Sequence, residues 1–70
     1  MAKLTKLQRS NNAHRRLYKK YSVLGGRDAQ IKEEYHASAC LLQEVKKRLL
    51  SKAEKRRIYK QATHKINGTW

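Results

Sequence analysis

The residues of this chain best equipped to do chemistry are its cations. Lys and Arg number 18 against 5 acidic residues, a formal charge of +13 over 70 residues. Twelve of the cations gather in three groups: Arg15, Arg16, Lys19 and Lys20; then Lys46, Lys47 and Arg48; then Lys52, Lys55, Arg56, Arg57 and Lys60. The chemistry they suit is neutralisation of a polyanion, because phosphates present dense negative charge and binding releases their condensed counterions. From Lys46 to Lys60 the only acid is Glu54. Laid along a helix at about 1.5 Å per residue, that stretch makes a strip reaching ~20 Å, the length of several phosphates. A helix face that is merely solvated mixes Glu with Lys at four-residue spacing, and this one hardly does. Tyr59 lies inside the strip and Tyr18 and Tyr21 beside the first group, where rings can stack on unpaired bases. Tyr18, Tyr21 and Tyr35 also fall on apolar stripes, so core or interface is their expected place.

Other reactive side chains are sparse. His14, His36 and His64 fall on separate predicted helices or faces, and Cys40 is the single cysteine. Neither C-x-x-C nor H-x-x-x-H spacing occurs, so no zinc site is expected. Cys40 adjoins Leu41 and Leu42, as a packing cysteine does. His36, four residues earlier on the same side, offers it a Cys–His contact, but a thiolate nucleophile also needs a cleft and an oxyanion site. Gly25-Gly26 precedes a helix start, where a phosphate can bind, yet P-loop and G-x-G-x-x-G spacings are absent and a simple turn is the expectation. No enzyme activity, metal or cofactor is expected.

The elements that must position these residues read as helices, since proline is absent and strand-type alternation never exceeds three or four positions. At 100° per residue Leu4, Leu7, His14, Leu17, Tyr18, Tyr21 and Leu24 share one sector, into which Lys3 and Asn11 also fall. This predicts a helix over 4–24 that stops at Gly25-Gly26. Asp28 is the expected N-cap of a second helix over 29–50, with Glu33 and Glu34 near its start. Its apolar stripe is Ile31, Tyr35, Ala39, Leu42, Val45, Leu49 and, beyond the helix, Ala53. The phase then shifts to Ile58, Tyr59, Ala62 and Ile66. Ser51-Lys52-Ala53-Glu54 has the capping-box form, predicting a third helix over 52–66 that stops at Asn67-Gly68. The expected fold is all-α, an antiparallel hairpin or three-helix bundle in one domain over 1–70.

A domain this short buries only about 60% of its unfolded surface and lacks a disulfide, so it is expected to lean on a partner. No apolar run approaches the ~18 residues of a membrane span. Met1–Leu7 lacks the continuous apolar core of a secretory signal. It is basic and amphipathic like an organellar presequence, but is expected to be retained. The expected compartment is intracellular, cytoplasmic or mitochondrial.

Leu17-Tyr18-Lys19 on a basic first helix, followed by Asp28-Ala29-Gln30-Ile31-Lys32-Glu33-Glu34-Tyr35, resembles the LYR-motif family of small basic mitochondrial proteins. Tyr35 stands where that family has Phe and Lys19 where Arg is commoner, and the match covers residues 17–35. The resemblance implies a three-helix fold that binds an acidic acyl-carrier protein, with Leu17, Tyr18 and Lys19 facing the carrier and its acyl chain.

The charge pattern points first to a non-enzymatic subunit of a ribonucleoprotein, a ribosomal or mitochondrial ribosomal protein whose three cation groups contact rRNA. Leu17, Tyr18, Tyr59 and Trp70 are its expected contacts to neighbouring proteins, Trp70 as a docking anchor. The LYR-like adaptor is one alternative. A small DNA-binding regulator is another, with Gly25-Gly26 as the turn of a helix-turn-helix, although the flanking helices are longer than that motif prefers.

Overall fold

Two of the three helices begin at a reciprocal cap. In the computed structural model, which describes residues 3–68, α1 (Lys6–Leu24) starts after Thr5. The Gln8 amide donates to Thr5 Oγ1 at 3.1 Å and the Thr5 amide to Gln8 Oε1 at 2.9 Å. The bonds satisfy two amides that a helix start leaves without partners, and they place that start two residues later than the apolar sector predicted. In α3 (Lys52–Asn67) Ser51 and Glu54 form the expected capping box, at 3.2 and 3.0 Å. It closes at Gly68, whose amide donates to the His64 carbonyl.

The middle helix departs from expectation at both ends. α2 (Arg27–Lys46) is capped by Gly26 with no side-chain bond. Asp28 is therefore not the N-cap but an acid in the first turn, where it meets the positive end of the helix dipole. Gly25 and Gly26 have φ of 73° and 87°, a region that costs glycine nothing, and they reverse the chain in two residues. At the other end α2 stops at Lys46 because Lys47 takes a left-handed conformation, φ 57° and ψ 33°. The helix is four residues shorter than the predicted 29–50 at that end.

α2 is the middle of the arrangement: α1 and α3 each pack against it, and among the described residues they do not pack against each other. Both pairings are antiparallel. Ser10 meets Gln43 and Tyr21 stacks on His36 across one, and Tyr35 meets Tyr59 and Glu34 meets Lys65 across the other. The result is an open layer of 44 × 26 × 16 Å rather than a closed bundle.

The two seams differ in chemistry. Between α2 and α3 lies an apolar core of Ala39, Leu50 and Ile58, with Tyr35 and Leu42 packed on it. Burying a side chain such as Ile58 stabilises by about 1.5–3 kcal/mol. Between α1 and α2 the buried residues are Asn11, His14, Cys40 and Gln43. Gln43, with no exposed surface, donates from Nε2 to Asn11 Oδ1 at 2.8 Å and to Ser10 Oγ at 3.0 Å. Its Oε1 receives the Leu50 amide at 3.5 Å.

The predicted stripe of α2 holds only for its first three turns. Ile31 and Ala39 are buried and Tyr35 and Leu42 half-buried, whereas Val45, Leu49 and Ala53 are exposed. The reason is the early stop at Lys46: the returning connection brings Leu50 over Ala39 and leaves Val45 uncovered. A leucine at position 43 would fill similar volume but strand Asn11 Oδ1 and the Leu50 amide. Because an orphaned buried polar group costs about 1–3 kcal/mol, Gln43→Leu is expected to lower the unfolding free energy by about 2 kcal/mol or more. Urea unfolding followed by helical circular dichroism measures this, and unchanged stability would show that the polar seam does not hold the helices.

Candidate nucleic-acid interface

Three of the five acids, Glu34, Glu44 and Glu54, decide which cations are spoken for among the described residues. Glu54 takes Arg48 in a two-point bond, 2.9 and 3.2 Å, and also Lys46. The Arg48 guanidinium, then the Lys46 ammonium and the Ser51 amide, hold the Glu54 carboxyl well below the usual carboxylate range. Glu44 pairs with Arg15, and Glu34 with Lys65 at 3.0 Å. Arg16, Lys19, Lys20, Lys47, Lys52, Lys55, Arg56, Arg57 and Lys60 enter no ion pair among the described residues.

The continuous 46–60 strip does not exist as a straight line. Its chain folds at Lys47–Ser51, so Lys46, Lys47 and Arg48 form a corner and only Lys52, Lys55, Arg56, Arg57 and Lys60 lie on one helix. On α3 the four-residue spacing of Lys52, Arg56 and Lys60 sets them in a row with steps of about 6 Å. The row is turned away from the buried Ile58 and Ala62. Lys52, Lys55 and Arg56 stand in the first turns, where the helix dipole already contributes positive potential. The first group behaves differently: Arg16, Lys19 and Lys20 are exposed on α1, and Lys20 lies 5.8 Å over the Tyr21 ring.

Aromatic rings connect the helices beside these charges. Tyr21 on α1 stacks on His36 of α2 at 5.8 Å and 2°. His36 meets Tyr35 edge-on at 4.9 Å, and Tyr35 meets Tyr59 of α3 at 5.6 Å and 67°. Lys32 sits 5.3 Å from the Tyr21 ring centre, an attraction between cation and ring face. At the α3 end of the row Tyr35 and Tyr59 border a cleft of about 570 Å³ whose other walls include Lys55, Arg56 and Lys60. The sequence sets Tyr59 among the cations but gives no sign of a cleft, of Tyr35 as its wall or of Lys32 as a ring contact. The spacing of Tyr35 and Tyr59 carries no hint that they meet; only the antiparallel return of α3 brings them together.

Comparison with family models, curated proteins and solved structures finds no match.

The remaining expected contacts scatter. Leu17 is half-buried, and Tyr18 is 40% exposed at the edge of a second cleft, about 240 Å³, shared with Ala37, Cys40 and Leu41. Trp70 lies outside the described residues. Among the described residues no three of His, Cys, Asp and Glu are placed to hold a metal. Cys40 is buried, and burial together with the Glu44 carboxylate pushes its thiol up, away from the thiolate that a nucleophile requires. His36 does not serve Cys40: its Nδ1 lies 2.9 Å from His14 Nδ1, so one ring donates a proton to the other and both cannot be charged while the bond stands.

Burial, then the Lys55 charge, lowers the His14 pKa. Burial, then His14 and Lys32, lowers that of His36 to about 4 from an ordinary 6.5. Both groups bind protons more weakly folded than unfolded, so their contribution is complete above about pH 6.5 and is lost as the pH falls toward 4. Urea midpoints are expected to drop between about pH 7.5 and about pH 5, and the double variant His14→Gln, His36→Gln to flatten that slope. Identical slopes in parent and variant would remove the pair from the account.

Proposed function

We propose that this chain binds structured RNA as a small basic subunit of a ribonucleoprotein assembly. The five α3 cations without acidic partners, set against phosphates, make the contact, with the Lys46–Arg48 corner beside them. The observation that carries this reading is the partition of charge: four acids lie on α2 and the fifth, Glu54 in the first turn of α3, is taken by Lys46 and Arg48 of the corner, while Lys52, Lys55, Arg56, Arg57 and Lys60 enter no ion pair among the described residues. Concentrating Lys52, Lys55 and Arg56 at the positive end of a helix dipole destabilises the free protein, and a row of phosphates relieves that cost. Lys47 supports the same direction, because a left-handed position that favours glycine here holds another cation at the corner.

RNA is favoured over duplex DNA by the exposed tyrosine surface beside the cations, since unpaired bases can be splayed onto aromatic rings. A ribosome, cytoplasmic or mitochondrial, is the setting that best supplies such RNA alongside protein neighbours.

Binding of a labelled RNA hairpin, followed by fluorescence anisotropy from about 50 to 300 mM salt, is expected to weaken linearly on logarithmic axes. Each lost phosphate contact lowers the slope by about 0.7–0.9, so the triple variant Lys52→Gln, Arg56→Gln, Lys60→Gln is expected to reduce it by about 2–3. Lys65→Gln, whose charge is held by Glu34, should leave it nearly unchanged. A flat salt response in the parent protein would sink the reading.

A further inference from the structure

The cleft beside Tyr35 and Tyr59 is a different kind of surface from the cation row it adjoins. Tyr59 is 45% exposed although it is the largest aromatic residue on α3, and it packs only partly. Its edge-to-face partner Tyr35, at 5.6 Å and 67°, engages at most one face of the Tyr59 ring and braces its orientation. Lys55, Arg56 and Lys60 stand around the same opening. The Thr63 hydroxyl donates to the Tyr59 carbonyl at 2.9 Å, which leaves its oxygen as an acceptor on the cleft wall. The volume, about 570 Å³, falls in the range of small-ligand sites.

An occupant must offer a flat ring to the tyrosine and negative charge to the three cations at once. We infer that the cleft receives one unpaired base of the bound RNA, stacked on the Tyr59 ring, with the phosphates flanking it held by Lys55, Arg56 and Lys60. The inference rests on the RNA reading above. The second cleft lacks this pairing of features: its one arginine, Arg15, is already tied to Glu44, and that carboxylate stands in its wall.

The test uses two RNA hairpins identical except for one bulged adenosine, bound to the full chain at fixed salt and read by anisotropy. Stacking of one base on an aromatic side chain corresponds to roughly 5- to 150-fold in affinity, so the bulged hairpin is expected to bind tighter by a factor in that range. Tyr59→Phe should keep the preference. Tyr59→Ala and the bulkier Tyr59→Leu should abolish it while leaving the salt slope on both hairpins as it is, because tyrosine neutralises no phosphate. Circular dichroism checks that each variant keeps its helices, and Tyr59→Leu retains apolar contact with Tyr35 should the alanine variant unfold. Equal binding of the two hairpins by the parent overturns the inference and leaves the RNA reading standing. So does a preference that survives in Tyr59→Leu, or displacement of the bulged hairpin by equimolar adenosine monophosphate. Loss of salt-dependent binding to both hairpins overturns the RNA reading and this inference with it.

Discussion

Gln43 has no contact with water and touches all three parts of the molecule. Its amide nitrogen reaches Ser10 and Asn11 on α1, and its amide oxygen receives the Leu50 amide in the connection to α3. A buried amide is tolerable only with its partners in place, and among the described residues no buried side-chain nitrogen or oxygen lacks one. The register of α1 on α2 and the path of the chain into α3 are thereby coupled through one side chain. An apolar seam would tolerate sliding by a turn; a seam of amides, a hydroxyl and a histidine pair does not, because each slip strands a donor or an acceptor.

That polar seam also explains how so thin a layer stays together. The apolar core is confined to the α2–α3 side, around Ala39, Leu50 and Ile58, and α1 leaves Val23 and Leu24 more than half exposed. With little apolar area to bury, the chain gains specificity from hydrogen bonds and places its few acids where they bridge elements. Arg15–Glu44 ties α1 to α2, Lys65–Glu34 ties α2 to α3, and Glu54 clasps the corner through Lys46 and Arg48. Exposed ion pairs of this kind each contribute little. Their larger effect is on where positive charge remains: on α1 and on the outer face of α3.

Much of the architecture was legible in the sequence because its signals are local. Ser51 and Glu54 announce α3, Gly25-Gly26 announces the reversal, and Ile58 and Ala62 stand out of phase with the α2 stripe because they lie on a different helix. Thr5 and Gln8 have the same form as the α3 cap and were readable in principle; the apolar sector beginning at Leu4 masked them. The end of α2 was not legible, since a lysine rather than a glycine takes the left-handed position at residue 47. From that one miss followed the false burial of Val45 and Leu49 and the straight 46–60 strip. The buried polar seam was hidden for another reason: Asn11 and Gln43 are polar by type, and only the approach of two helices reveals that they satisfy each other.

The same distinction applies to the candidate interface. The cation groups stand out in the sequence because charge imbalance is a property of composition, whereas the aromatic row from Tyr21 through His36 and Tyr35 to Tyr59 draws on three helices and has no sequence period. It exists because α2 lies between its neighbours in an open layer. In a closed bundle, with α1 packed on α3, these rings would fill the interior and leave no cleft beside Lys55 and Lys60. Openness thus sacrifices apolar burial and exposes a tyrosine surface next to unpaired cations, and a partner that supplies both negative charge and flat rings compensates for both deficits together.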